Sequence, residues 1–366
     1  GFAAAEMLRR LGYGGALTML SEDDNPPCDR PNLSKDYLAG AAPEEWVFLK
    51  DQAFYREHDI DLRLGTRVDS IDVAKRRVVT ADGATFGFDA LLLATGAEPV
   101  RLPGFDHKNV HILRSLADSR AIIAAAKLAK KAVVIGASFI GLEAAAALRT
   151  RGLDVHVVAP DPILMARVLG SEIGAYVQRV HERKGVVFHL QHSARAYDGK
   201  SVILDDGEML EADLVVLGIG VKPRTKLAAD AGIAVDDGIL VDEHLETEMP
   251  GIYAAGDIAR YPRPGSNERL RVEHWVVAER QGQVAAANML GMRRRFRDAP
   301  FFWSNHYDVS ILYVGHAQAP DEIRVEGSVA EGDAIVRFFE GGAMRAAAAI
   351  GRPLESLRHE VMLEKD

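Results

Sequence analysis

Cysteine is almost missing from this 366-residue chain, with Cys28 standing alone. One thiol cannot close an internal disulfide, and without a C-x-x-C pair any electrons handled here must travel on something other than protein sulfur. A lone thiol also fits a reducing compartment, which points to the cytoplasm. Positive charge is in deficit: 44 Lys and Arg against 53 Asp and Glu leave a formal charge of −9. That balance argues against nonspecific binding of nucleic acid or anionic membrane as the main activity. Long apolar runs and low-complexity tracts are absent too, so no membrane span and no disordered linker is expected. What remains, with 48% hydrophobic residues, is material for two or three domains with their own cores.

The most informative stretch is K-K-A-V-V-I-G-A-S-F-I-G-L-E, residues 130–143. It reads as a buried strand from Ala132 to Ile135, a turn at Gly136 and a helix whose first amides, with the helix dipole, would face a pyrophosphate. Gly136 and Gly141 take the first and third positions of a G-x-G-x-x-G fingerprint, and Ser138 takes the middle one. A serine there brings a Cβ and a hydroxyl close to the phosphates, so dinucleotide binding survives with altered geometry; Phe139 and Ile140 complete the turn. The next strand, Leu153–Ala159, ends without the acid that would hold a ribose diol. Ala159 does not repel a 2′-phosphate either, which leaves NADH or NADPH open; Asp161 either substitutes for the acid or faces solvent, and Arg167 either reaches a phosphate or sits on a helix surface.

A second such unit is visible in part. Gly1 to Leu8 reads as a helix start without its strand, and Gly1 would be the last glycine of a fingerprint whose first strand is missing. The run from Ala16 to Asp24 is a strand ending in acid, with Glu22 at the spacing expected of a ribose ligand. Arg30 and Lys35 follow in a proline-punctuated loop, P-P-C-D-R-P-N-L-S-K, whose path is fixed before any ligand arrives.

These residues resemble the FAD-dependent ferredoxin reductases and apoptosis-inducing-factor-like oxidoreductases of the pyridine nucleotide-disulfide oxidoreductase family. The family segment is S-E-x-x-x-x-P-Y-x-R-P-x-L-S-K, and Cys28 takes the tyrosine position. The resemblance implies that Arg30 contacts FAD and that Lys35 lies beside the flavin, paired with Glu143 of I-G-L-E; the alternative for Glu143 is a carboxylate complementing its own helix dipole. Further matches follow in order. L-L-L-A-T-G-A-E-P, residues 91–99, resembles the crossing between the two nucleotide units and brings Ala94, Thr95 and Gly96 to FAD. L-R-S-L-A-D-S brings Arg114, and T-E-M-P-G-I-Y-A-A-G-D brings Gly256 and Asp257, the carboxylate accepting from the ribityl chain. Gly218 and Gly220 would give a nicotinamide ribose backbone room. Glu273, His274 and Trp275 of R-V-E-H-W approach the flavin or nicotinamide, with helix capping the alternative for Glu273 and core packing for Trp275, and Trp303 of F-W-S borders the flavin. His274 has no metal or triad partners, and no metal site is expected. The cluster Arg293-Arg294-Arg295-Phe296-Arg297 reads either as a solvated helix end or as a docking patch for an acidic iron-sulfur protein.

The expected fold is α/β, with two Rossmann-like dinucleotide-binding domains and a small α+β C-terminal domain. The FAD domain is discontinuous, residues 1–115 and 242–299, with the NAD(P) domain inserted at 116–241 and a reductase domain at 300–366. The resemblance implies a flavoprotein passing hydride from NAD(P)H, NADH ahead of NADPH, to FAD and then single electrons to a ferredoxin or Rieske-type protein, with a homodimer left open. An NAD(P)H oxidase or small-molecule reductase, and a redox-sensing interaction protein, remain the alternatives.

Overall fold

The computed structural model describes every residue except 265, 267 and 366. Four of the five residues of the strand Lys131–Ile135 are buried. Strands buried on both faces read as unbroken apolar runs, and this one sits at the centre of a parallel sheet. The sheet order is Val187–Leu190, Asp154–Ala159, Lys131–Ile135, Leu214–Leu217, Val110–Ile112. It therefore takes in residues 110–112, ahead of position 116. Helices Leu116–Ala126, Phe139–Thr150 and Ala166–Arg183 belong to this unit, the last broken at Gly170. Ser115 starts the first of them with a capping box: its hydroxyl accepts from the Asp118 amide and the Asp118 carboxylate accepts from the Ser115 amide.

The flanking unit contains two parallel pairs and an antiparallel sheet of Val68–Asp72, Arg77–Thr80 and Thr85–Gly87. Leu17–Leu20 lies beside Ile60–Arg63, and Leu91–Leu93 beside Ile252–Ala254. Helix Phe2–Arg10 packs on helix Trp275–Met289, where Gly282 admits the backbone of Ala4. The chain passes between the two units twice, and the passages lie side by side: Val221–Pro223 pairs antiparallel with Ala97–Pro99.

Residues 301–350 form a five-stranded antiparallel sheet, order Phe301–His306, Val309–Gly315, Ala343–Ile350, Asp333–Glu340, Glu322–Ser328, followed by helix Pro353–Leu363. Tyr313, Phe338 and Ala348 of this sheet share a core with Val177 and Leu148 of the inserted unit. The arginine cluster differs from the expected helix end. The helix stops at Met289, and residues 293–297 run on in irregular chain, held down by the buried Phe296. Asn288 stops the helix here, its side chain bonding the Arg294 amide and carbonyl.

Candidate active site

The strands Leu91–Leu93 and Ile252–Ala254 end at adjacent turns, and a cleft of about 2780 Å³ opens beyond them. Ligands of open α/β sheets bind at such carboxyl ends. Ala94, Thr95 and Gly96 form one turn, where Gly96 needs its φ of +66° and its carbonyl accepts from Arg224 at 3.0 Å. Gly256 and Asp257 form the other; Gly256, at φ +83°, donates to the buried Gln281 Oε1 at 2.8 Å.

The charges of the cleft are distributed unevenly. Arg114 and Asp257, both expected to touch a ligand, are bonded to each other as an ion pair. Glu22 pairs with Arg224 at 2.8 Å, a partner that sequence reading did not supply. Glu273 pairs with Arg271 at 2.6 Å rather than capping a helix. Arg30 lines the cleft without an acidic partner among the described residues, its guanidinium reaching the Arg114 carbonyl at 3.4 Å. Arg114 Nε is buried with no acceptor. A free guanidinium beside an unsatisfied one is a donor set suited to phosphate oxygens.

At the inner end Lys35 Nζ lies 2.9 Å from Glu143 Oε2, with side-chain exposures of 13% and 4%. Glu143 also accepts from Ser34 Oγ and Ser304 Oγ, each at 2.6 Å. It stands one turn inside its helix, which begins at Phe139, and its partners lie on the flanking unit and the C-terminal sheet. One carboxylate thus ties three parts of the fold together. The Trp303 ring centroid is 5.9 Å from the Lys35 ammonium, close enough for the ring face to attract it. Phe139 and His274 flank Phe302 at 4.7 and 4.6 Å between ring centroids. Burial holds His274 neutral, with its pKa pushed down to about 4, and Trp275 opens on the same cleft.

Gly1, which precedes helix Phe2–Arg10, and Ile140 also line this cleft. Gly136, Ser138, Gly141, Gly218 and Gly220 do not; they gather at the end of the five-stranded sheet. Three of them pack on one another. A Cβ on Gly136 would overlap the Gly218 carbonyl, one on Gly141 the Gly136 carbonyl, and one on Gly218 would lie 2.7 Å from Gly141 Cα. Gly218 is thus required by helix-strand packing, whereas Gly220 faces open space at φ +98°. The Ser138 hydroxyl turns inward and donates to the Gly218 carbonyl at 2.8 Å. Asp161 and Arg167 pair with each other at 2.7 Å on the surface. Sequence reading missed Ser34, Ser304, His306 and His181, although the serines of L-S-K and F-W-S were in view.

Residues 1–282 match the family described as pyridine nucleotide-disulphide oxidoreductase, and residues 301–366 the family described as reductase C-terminal. The ferredoxin–NAD(+) reductase component of an anthranilate 1,2-dioxygenase system from Burkholderia cepacia is 38% identical over 97% of this chain and 89% of its own length. Rhodocoxin reductase from Rhodococcus erythropolis is 36% identical over 98% of this chain and 85% of its own. The crystal structure of the covalent putidaredoxin reductase–putidaredoxin complex superposes with a TM-score of 0.96 at 32% identity, covering all of this chain and 90% of that one. The apolar strands, the two nucleotide-type units and the appended sheet are therefore a shared inheritance, and the chain belongs to the pyridine nucleotide-disulphide oxidoreductase family.

Proposed function

We propose that this chain is an FAD-dependent NAD(P)H reductase delivering single electrons to a ferredoxin or Rieske-type iron-sulfur protein, as the names of its relatives imply. One NAD(P)H gives two electrons and a proton, matched by two one-electron acceptors. Bound FAD would supply the conversion from hydride to single electrons. The observation that carries the reading is the Lys35–Glu143 pair, one residue from each nucleotide-type unit, at the inner end of a cleft lined by Arg30 and Arg114.

The residues divide the work. Arg30 and the free Nε of Arg114 would hold phosphate, while the ion pair with Asp257 keeps Arg114 aimed. Gly96 and Gly256 bring backbone to the cleft wall without a side chain in the way. Lys35 presents a positive charge where negative charge develops, and Glu143 limits the cost of burying that ammonium. Phe139, Phe302 and Trp303 exclude water from the same place. The pyridine nucleotide would lie at the start of helix Phe139–Thr150, whose Gly136, Gly141 and Gly218 are packed without side chains. We assign the cleft unit to FAD, the inserted parallel sheet to NAD(P)H, and the protein to the cytoplasm. No helix among the described residues is long and apolar enough to cross a membrane.

Anaerobic stopped-flow mixing of the flavin-loaded protein with NADH or NADPH, then with iron-sulfur proteins, tests this. Bleaching of the flavin by NADH and reoxidation by the acceptor are expected. A folded protein that takes up no FAD, or whose flavin stays oxidised with both nucleotides, overturns it.

A further inference from the structure

Behind Glu143 runs a buried polar chain that ligand binding does not require. Ser304 and His306 lie two apart on strand Phe301–His306, so both side chains leave the same face. Both are fully buried, and so is His181 of helix Ala166–Arg183. Ser304 Oγ is 2.6 Å from Glu143 Oε1 and 3.2 Å from His306 Nε2, and His306 Nδ1 is 3.1 Å from His181 Nε2. The far nitrogen, His181 Nδ1, is buried without a partner.

Counting hydrogens fixes both tautomers. Ser304 has one hydrogen, and the short bond to the carboxylate takes it. Its oxygen can then only accept from His306, so Nε2 carries the hydrogen there. Burial pushes both histidines down to about 3, so each ring is neutral at working pH. His306 Nδ1 is therefore bare and accepts from His181 Nε2. That leaves a lone pair, not an N–H, as the buried orphan at His181 Nδ1, the milder of the two defects. The reversed order would protonate Glu143 and bury an N–H with no acceptor. The groups facing the chain are Lys35 and Ser34 on Glu143 at one end, and the Tyr307 and Phe188 rings against His181 at the other.

We propose that Ser304, His306 and His181 form a one-directional hydrogen-bond relay that orients the Glu143 carboxylate on Lys35, with His306 as a positioning residue. The inference rests on the function proposed above only for what the oriented pair then does. Hydrogen bonds in such a chain polarise one another, so the effect of His306 reaches Glu143 through Ser304.

Side-chain 1H–15N spectra of the flavin-loaded, oxidised protein between pH 6 and 8 read the tautomers directly. Both histidines are expected neutral with Nε2 protonated; an imidazolium or a protonated Nδ1 on either ring overturns the relay. His306→Gln, whose amide can donate to Ser304 and accept from His181, should keep the rate of flavin reduction by NADH. His306→Leu should lower it about three- to tenfold at equal flavin content, the equivalent of one hydrogen bond. Equal rates in the two variants overturn the positioning role. A wild-type flavin that NADH never reduces removes the proposed function instead, and the tautomers still decide the relay.

Discussion

Ser138 donates its hydroxyl to the carbonyl of Gly218 at 2.8 Å, so the middle position of the fingerprint is a clasp between the helix start and a strand end. The group that looked like an intruder among phosphates is committed to the protein. Ser138→Ala should cost about 1 kcal/mol in urea denaturation. Affinity for NADH should change by less than about threefold, or about 0.7 kcal/mol, in titrations of the oxidised protein.

The neighbouring glycines separate packing from conformation. Gly141→Ala places a methyl group against the Gly136 carbonyl, which backbone cannot vacate, and a loss of about 3 kcal/mol is expected. Gly220→Ala meets no atom within 4 Å and carries only the strain of φ +98°, about 1–2 kcal/mol. Thermal and chemical denaturation of the two variants should rank them in that order.

Removing Lys35 leaves Glu143 buried with two hydroxyl donors and no cation. Lys35→Met should cost about 3–5 kcal/mol of stability. Adding Glu143→Gln should recover part of it, a coupling that a double-mutant cycle measures. With FAD still bound, Lys35→Met should slow flavin reduction by about ten- to a hundredfold.

His181 and His306 impose a pH limit. Their folded pKa values near 3 lie below the unfolded value of about 6.5, so the unfolded chain binds more protons between those limits. The contribution of this pair is full above about pH 6.5 and is lost as pH drops toward 3, at up to about 3 kcal/mol per pH unit for the two groups. Urea midpoints at pH 7, 6 and 5 should show that slope, and His306→Gln should halve this contribution.

The arginines at 293–297 are exposed on irregular chain, and only Arg295 has an acidic partner, Glu243 at 3.0 Å, among the described residues. If they receive an acidic iron-sulfur protein, Arg294→Glu with Arg297→Glu should lower the second-order rate of acceptor reduction about tenfold at low salt. Flavin reduction by NADH should be unchanged. Loss of the difference in high salt is the expected control.

Much of this arrangement could be read from residue order. The apolar run at 131–135 and the glycines after it announce a strand, turn and helix because buried parallel strands and close backbone packing leave little choice of residue. The Lys35–Glu143 pair came from a resemblance, since 108 positions separate its members and no local pattern joins them. Glu22 with Arg224 and Arg114 with Asp257 were illegible for the same reason. An ion pair depends on where two side chains end, whereas sequence spacing fixes only where each begins. Ser304 and His306 were hidden differently: they lie two apart on one strand, but nothing in the order of residues said that its face meets a carboxylate.

The antiparallel pairing of Ala97–Pro99 with Val221–Pro223 has a mechanical meaning. Because both crossings share one two-stranded ribbon, the nucleotide-type units are joined by backbone along a single seam, as a door is joined to its post. Glu143, bonded to Lys35 and Ser304, is a second fastening, made by side chains. The inner end of the cleft is thereby fastened to both units, and the charge of Lys35 is set where they meet.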